Sequence, residues 1–176
     1  MKTRLKLFYF ISAISIVSLL ASCGSDDDDL PNNSSPIVGT WTYSDSELTF
    51  LVDNQGIAAF LIANGEDPIE AAALESLIES IFEDSLDLQG SSFVFNADGT
   101  YSVRENGAVQ ESGTYQLNSN NTKLTITSSE GPQEFDVEEL TNNKLSLSFS
   151  EEEMEDFNDD GTLNTVFIKI LIDFVK

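Results

Sequence analysis

The chain has 176 residues, of which 31 are acidic and 8 basic, with no histidine and one cysteine, for a net charge of −23. Such a surface repels phosphate backbones and anionic head groups, which excludes nucleic acid as a partner. One cysteine cannot form an internal disulfide, and without histidine the usual general base near neutral pH is missing. No phosphate loop or nucleophile elbow occurs either, so the chain is not expected to be an enzyme.

The N-terminus opens on Lys2, Arg4 and Lys6, followed by the run Leu7 to Leu20, which is interrupted only by small polar residues. At 14 residues this run is too short for a bilayer-spanning helix, which needs about 20, and it fits the apolar region of an export signal. Leu20-Ala21-Ser22-Cys23 follows and resembles the lipobox of bacterial lipoproteins. That resemblance implies cleavage between Ser22 and Cys23, with a diacylglycerol thioether and an N-acyl chain on Cys23. Two or three acyl chains, at about 0.8 kcal/mol per buried CH₂, anchor a soluble domain permanently on a membrane. Removing residues 1–22 takes away three cations and no acid, so the charge moves from −23 to −26.

Residues 23–36 carry four consecutive aspartates, two prolines and two asparagines, with Leu30 as the lone apolar residue after Cys23. A segment of this kind cannot bury enough surface to fold and reads as an acidic tether. Ser25-Asp26-Asp27-Asp28-Asp29 also resembles the acidic signal behind the cysteine of Bacteroidota lipoproteins. It implies an outer-membrane address on the cell surface; a plain solvated linker is the alternative.

From Ile37 onward the dominant period is two, the mark of half-buried strands. Leu48, Phe50 and Val52 alternate with polar neighbours, as do Phe93 and Phe95, Tyr101 and Val103, Tyr115 and Leu117, Leu124 and Ile126, Phe135 and Val137, and Leu145, Leu147 and Phe149. Asn96-Ala97-Asp98-Gly99, Asn106-Gly107, Asn118 to Asn121, Gly131-Pro132 and Asn142-Asn143 supply turns between them. Two segments break this rhythm. Asp67-Pro68-Ile69-Glu70 reads as a helix cap, and the helix it opens, at about 67–87, shows an apolar stripe of Ile69, Ala73, Leu77, Ile81 and Phe82. Ser150 with Glu153 reads as a second capping box, starting a short acidic helix that ends near Asn158. Residues 57–63 and 162–175 fit a strand or a helix equally well.

Ile37-Val38-Gly39-Thr40-Trp41, Phe93-Val94-Phe95-Asn96-Ala97-Asp98-Gly99-Thr100-Tyr101 and Ser112-Gly113-Thr114-Tyr115 together resemble the lipocalin-like domains of Bacteroidota lipoproteins. The resemblance implies a mostly β domain over residues 37–176. Its fold would be a small antiparallel up-and-down barrel of about eight strands, with one inserted amphipathic helix and a short C-terminal helix. The eight strands would be centred on Trp41, Phe50, Phe95, Val103, Tyr115, Ile126, Val137 and Leu147, and such a barrel is filled by its own side chains or holds one small ligand. Trp41 matches the plug at a lipocalin's closed end. Trp41, Phe50, Phe95, Tyr101 and Tyr115 would line a cavity for a hydrophobic ligand, or equally form a filled core.

Asp156-Phe157-Asn158-Asp159-Asp160-Gly161 opens like a calcium loop, with oxygen ligands at Asp156, Asn158 and Asp160, but Phe167 stands where the closing glutamate belongs. An acidic helix end followed by a glycine turn is the favoured reading, with weak calcium binding as the alternative. No other cofactor is expected. Two functions remain: a membrane-anchored lipocalin-like protein that binds a small hydrophobic ligand, and a filled barrel that presents an acidic surface to envelope proteins. Cys23→Ser should abolish palmitate incorporation and move the protein from the membrane fraction to the soluble one; labelling that persists would refute the anchor.

Overall fold

Turn chemistry orders the strands. The computed structural model describes residues 35–86, 88–158 and 160–176, with the backbone alone for residues 83–85. The signal segment, Cys23 and the tether up to residue 34 lie outside the described residues. The elements run β1 (Gly39–Val52), β2 (Gln55–Gly56), α1 (Ile57–Ala63), α2 (Pro68–Leu86), β3 (Ser91–Phe95), β4 (Thr100–Glu105), β5 (Ala108–Leu117), β6 (Lys123–Ser128), β7 (Gly131–Leu140), β8 (Lys144–Glu155) and β9 (Asn164–Val175). Asn106 and Gly107 take φ of 51° and 84°, the left-handed pair that a two-residue hairpin with the right twist requires. Asp53 and Asn54, at 49° and 63°, make an equivalent turn between β1 and β2.

Every neighbouring pair of strands is antiparallel, in the order β2-β1-β3-β4-β5-β6-β7-β8-β9, and β9 returns to pair with β1. That last seam runs from Thr42 opposite Val175 to Val52 opposite Val166 and closes an eight-stranded barrel, with β2 as an extra strand. The count of eight holds, but the strands differ from those expected. Trp41 and Phe50 lie on one strand, and β9 is the eighth. The polar run Ser44-Asp45-Ser46 is not a turn. A bulge between Tyr43 and Asp45 carries β1 through it, and the Ser44 hydroxyl donates to the Asp173 carbonyl at 3.0 Å.

The expected short helix after Ser150 is absent. β8 continues through Ser150 to Glu155, opposite Lys169 to Asn164 of β9. A capping box offers one turn of helix about 1 kcal/mol, and a six-residue antiparallel ladder outweighs it. Of the two segments left open, residues 57–63 are helical and Asn164–Val175 is a strand.

At α2 the start is as expected: the Asp67 carboxylate accepts from the backbone N–H of Ile69 at 2.8 Å and of Glu70 at 3.3 Å. Its buried face differs in part. Of the expected stripe Phe82 is buried, but Ile69 is 80% exposed, Leu77 54% and Ile81 48%; Ala71 is buried and Ile78 half-buried in their place. The helix packs on α1, where Ala71 is small enough for close approach.

Two cores result. Ile37, Trp41, Phe95, Tyr101, Leu124, Leu145 and Phe174 fill the barrel, with Phe93, Tyr115 and Phe135 packed against them. A second core joins Val52 and Phe50 of β1 to Ile57, Phe60 and Leu61 of α1, Ala71 of α2 and Phe157. It exists because the strands are unequal in length: β3 pairs with β1 over Gly39–Thr42 only, and β7 pairs with β8 no further than Ser148. Beyond those points β1, β9 and β8 continue as a three-stranded extension, and α1 covers its inner face.

Gly113 stands opposite Tyr101 across the β4–β5 pair. A Cβ there would lie 2.0 Å from the Thr127 carbonyl oxygen and 2.8 Å from the Tyr101 ring. Gly113→Ala should therefore cost about 1–3 kcal/mol in urea unfolding, the usual penalty for overpacking; an unchanged midpoint would mean that Tyr101 does not lie across Gly113.

Candidate functional site

The first and last described stretches of the chain meet around Trp41. Trp41 is fully buried, its indole N–H donating to the Ile37 carbonyl at 2.6 Å. The Lys176 ammonium lies 4.4 Å from the centre of the Trp41 ring and donates to the Val38 carbonyl at 2.8 Å. Phe95 and Tyr101 are buried beside Trp41, and Tyr115 meets Phe95 edge to face at 4.9 Å. The Tyr101 hydroxyl donates to Glu111, and that of Tyr115 to the Asn96 carbonyl at 2.8 Å. Burial first, then the neighbouring carboxylate of Glu111 or Asp98, holds both phenols above their ordinary range. Four of the five residues expected to line a ligand cavity thus pack against one another, filling the barrel. The fifth, Phe50, belongs to the second core, 5.9 Å from Phe157.

The calcium-like loop is the β8–β9 connection. Asp156 accepts from the backbone N–H groups of Asp160 at 3.0 Å and Gly161 at 2.9 Å. Asp160 accepts from the Thr162 backbone at 2.7 Å and from the Asn158 amide at 3.1 Å, and its carboxyl is held below the usual range, first by the Thr162 backbone bond. These oxygens shape a turn, and Phe157 between them points into the second core. Among the described residues no three acidic, histidine or cysteine side chains are grouped as metal ligands would be.

A half-open cleft of about 290 Å³ lies elsewhere, between β1 and α2. Glu47 to Leu51 form one wall; Glu75, Ile78 and Glu79 of α2 form the other, with Ile57 beside them. Glu75 also accepts from the Ala58 backbone N–H at 3.4 Å. The strand wall is an edge. On the side away from β9, β1 pairs with β3 as far as Thr42 and with β2 from Leu51 onward; Tyr43 to Phe50 have no strand partner there among the described residues. The turn at Asp53 sets which groups face outward: Asp53 N–H donates to Thr165 on the β9 side, so alternate residues Leu48 and Phe50 present their N–H and C=O groups to the open edge. The Ser46 N–H, also on that edge, is capped by the Asp45 carboxylate at 2.9 Å.

Glu47, Glu75 and Glu79 are not among the site residues to which the sequence pointed. A weak signal was present: glutamates at 75 and 79 are like charges one turn apart with no lysine or arginine on α2, an arrangement that is mildly destabilising.

With the geometry established, comparison with known proteins is informative for the fold. Residues 72–147 match the model of the lipocalin-like domain family, from α2 through β7 and into β8. Over that stretch the chain is similar to this family, and its closed antiparallel barrel with inserted helices has the lipocalin-like form. Among solved structures, a DUF4847 family protein from Bacteroides vulgatus ATCC 8482 is similar at 20% identity and a TM-score of 0.37, covering 80% of this chain and 94% of that chain. Nothing among curated proteins matches.

Glu151, on β8, shares a strand face with Ile168 of β9, which in turn pairs with Phe50 of β1. Burial first, then the nearby Glu153, raises its pKa above the ordinary 4.5. The folded state therefore holds this proton more tightly than the unfolded one, and the associated stability, full below pH 4.5, is lost as pH rises through the folded value. Glu151→Gln should raise the melting temperature at pH 7 and leave it unchanged near pH 4; an equal shift at both pH values would mean that the carboxylate charge is not responsible.

Proposed function

We propose that this chain is a cell-envelope lipoprotein, held on the outer membrane by lipid on Cys23, whose lipocalin-like domain is a non-catalytic interaction module presenting an acidic face to envelope partners. The observation that carries this reading is the filled barrel. Trp41, Phe95, Tyr101, Leu124, Leu145 and Phe174 occupy the space where a cargo would sit, which leaves binding to the outside of the domain.

Charge placement supports it. Lys123, Lys144 and Lys169 are engaged by Glu134, Asp136, Glu139, Asp173 and Glu138 on the β6 to β9 side. Glu47, Glu75 and Glu79 around the cleft have no such neighbours among these pairs. A cationic partner gains most on that side, and the tether supplies the reach: 13 residues beyond Cys23 extend at most about 45 Å. The acidic stretch behind Cys23 supports placement on the outer face of the membrane.

A second reading, a small hydrophobic or amphipathic ligand, is favoured by the cleft itself. Leu48, Phe50, Ile57 and Ile78 offer an apolar wall to a molecule lying between barrel and helix.

Cross-linking the lipidated protein in solubilised outer membranes tests both. At roughly 20 mM salt a cationic partner should be recovered, and at about 0.5 M, where the screening length falls to a few ångströms, it should be lost. Recovery of no partner at either salt would defeat the first reading, and a lipophile in an organic extract of the purified protein would establish the second.

A further inference from the structure

We propose that the open edge of β1 between Tyr43 and Phe50 is a docking site for an extended, basic segment of a partner protein, which adds to the sheet as a strand beside β1. This rests on the interaction reading above and names the partner's chemistry.

Three observations converge on the edge. First, it is the one stretch where β1 lacks a strand neighbour on the β3 side among the described residues, eight residues long and so roughly 25 Å. Closure of a barrel normally removes such edges, and an unprotected one recruits whatever extended chain fits. Second, the Leu48 and Phe50 amides and carbonyls face a cleft of about 290 Å³ rather than packed protein. The Ser46 N–H beside them is already capped by Asp45, which limits the added strand to about five residues.

Third, the walls select the occupant. Glu47, Glu75 and Glu79 line the cleft together with Leu48, Phe50 and Ile78. An incoming strand presents alternate side chains to opposite faces, so one that alternates lysine or arginine with an apolar residue matches both kinds of wall. A second copy of this chain does not match: pairing two β1 edges would bring the glutamates of both copies together, and like charges across a pair are destabilising.

The probe is a blocked heptapeptide alternating lysine with valine, titrated into the lipidated full chain in detergent at low salt. Two analogues accompany it, one N-methylated at each valine and one at each lysine. The parent should bind and slow hydrogen exchange at Leu48 and Phe50. Because an added strand bonds through alternate residues, at least one methylated analogue should bind about tenfold more weakly for the loss of two or more hydrogen bonds. The double variant Glu75→Gln, Glu79→Gln should weaken the parent severalfold while leaving the melting temperature near that of the native protein. Equal binding of all three peptides, or protection away from β1, would overturn strand addition in favour of diffuse charge attraction. Self-association of the chain that protects Leu48 and Phe50 would overturn the choice of a basic partner. If no peptide binds while salt-sensitive cross-linking persists, the β1 edge is not the site and the interaction reading stands; if cross-linking fails as well, both fall.

Discussion

Everything in this domain depends on the pairing of its first and last strands. Thr42 to Val52 of β1 lie against Val175 to Val166 of β9, joining segments more than 110 residues apart in the chain. Contacts so distant carry a large loop-closure cost before they return anything, and they are recovered only when the barrel interior forms with them. Trp41 from β1 and Phe174 from β9 enter the same core, and Lys176 lies over the Trp41 ring. Closure and core formation are therefore one cooperative event. The backbone at Gly39, with φ of 137°, leaves the space that the Lys176 stem occupies; a Cβ there would lie 2.4 Å from its Cε.

The acidic composition makes the placement of the few cations decisive. Ser146 and Ser148 face outward from β8 yet are almost wholly buried, covered by the groups they bond: Asp173 at 2.6 Å and Glu138 at 2.8 Å. Lys144 and Lys169 bridge those same carboxylates, and Lys169 with Ser148 holds the Glu138 carboxyl below its usual range, the lysine bond first. Each such exposed pair is worth under about 1 kcal/mol. Their collective effect is to relieve repulsion across β6 to β9, and none of these lysines pairs with the glutamates at the β1–α2 cleft.

How much of this was legible follows from which signals are local. Alternation and the Asn106-Gly107, Asn96 to Gly99 and Asn142-Asn143 turns are properties of a few adjacent residues, and the strands β3 to β8 fall where those signals put them. The Asp67 cap is equally local and holds, but which face of α2 is buried depends on α1, so the Ile69 and Leu77 stripe was a reasonable pattern on the wrong side of the helix. At Ser150 a local capping signal competed with pairing to a strand that begins at Asn164, and the non-local ladder prevailed. The cleft was illegible for a stricter reason. It arises because β3 begins at Ser91 and reaches only Thr42 of β1, a register that no periodicity in either segment records.

That mismatch in length separates stability from recognition. From Thr42 to Val52 β1 is held by β9 on one edge, while from Tyr43 to Phe50 the other edge lacks a strand among the described residues, so a rigid strand carries the exposed backbone groups. A site built on a scaffold strand keeps its geometry without ordering a loop on binding, which lowers the entropic cost of association. Residues that fill the barrel, such as Tyr101 and Leu124, can then vary in volume with consequences for stability alone, whereas Glu79 on α2 belongs to neither core and Glu75 bonds α1 only at the Ala58 backbone, so both can be tuned by what the cleft receives. The lipid on Cys23 that we propose completes this division of labour: it fixes where the strand edge is displayed and leaves the fold to hold it still.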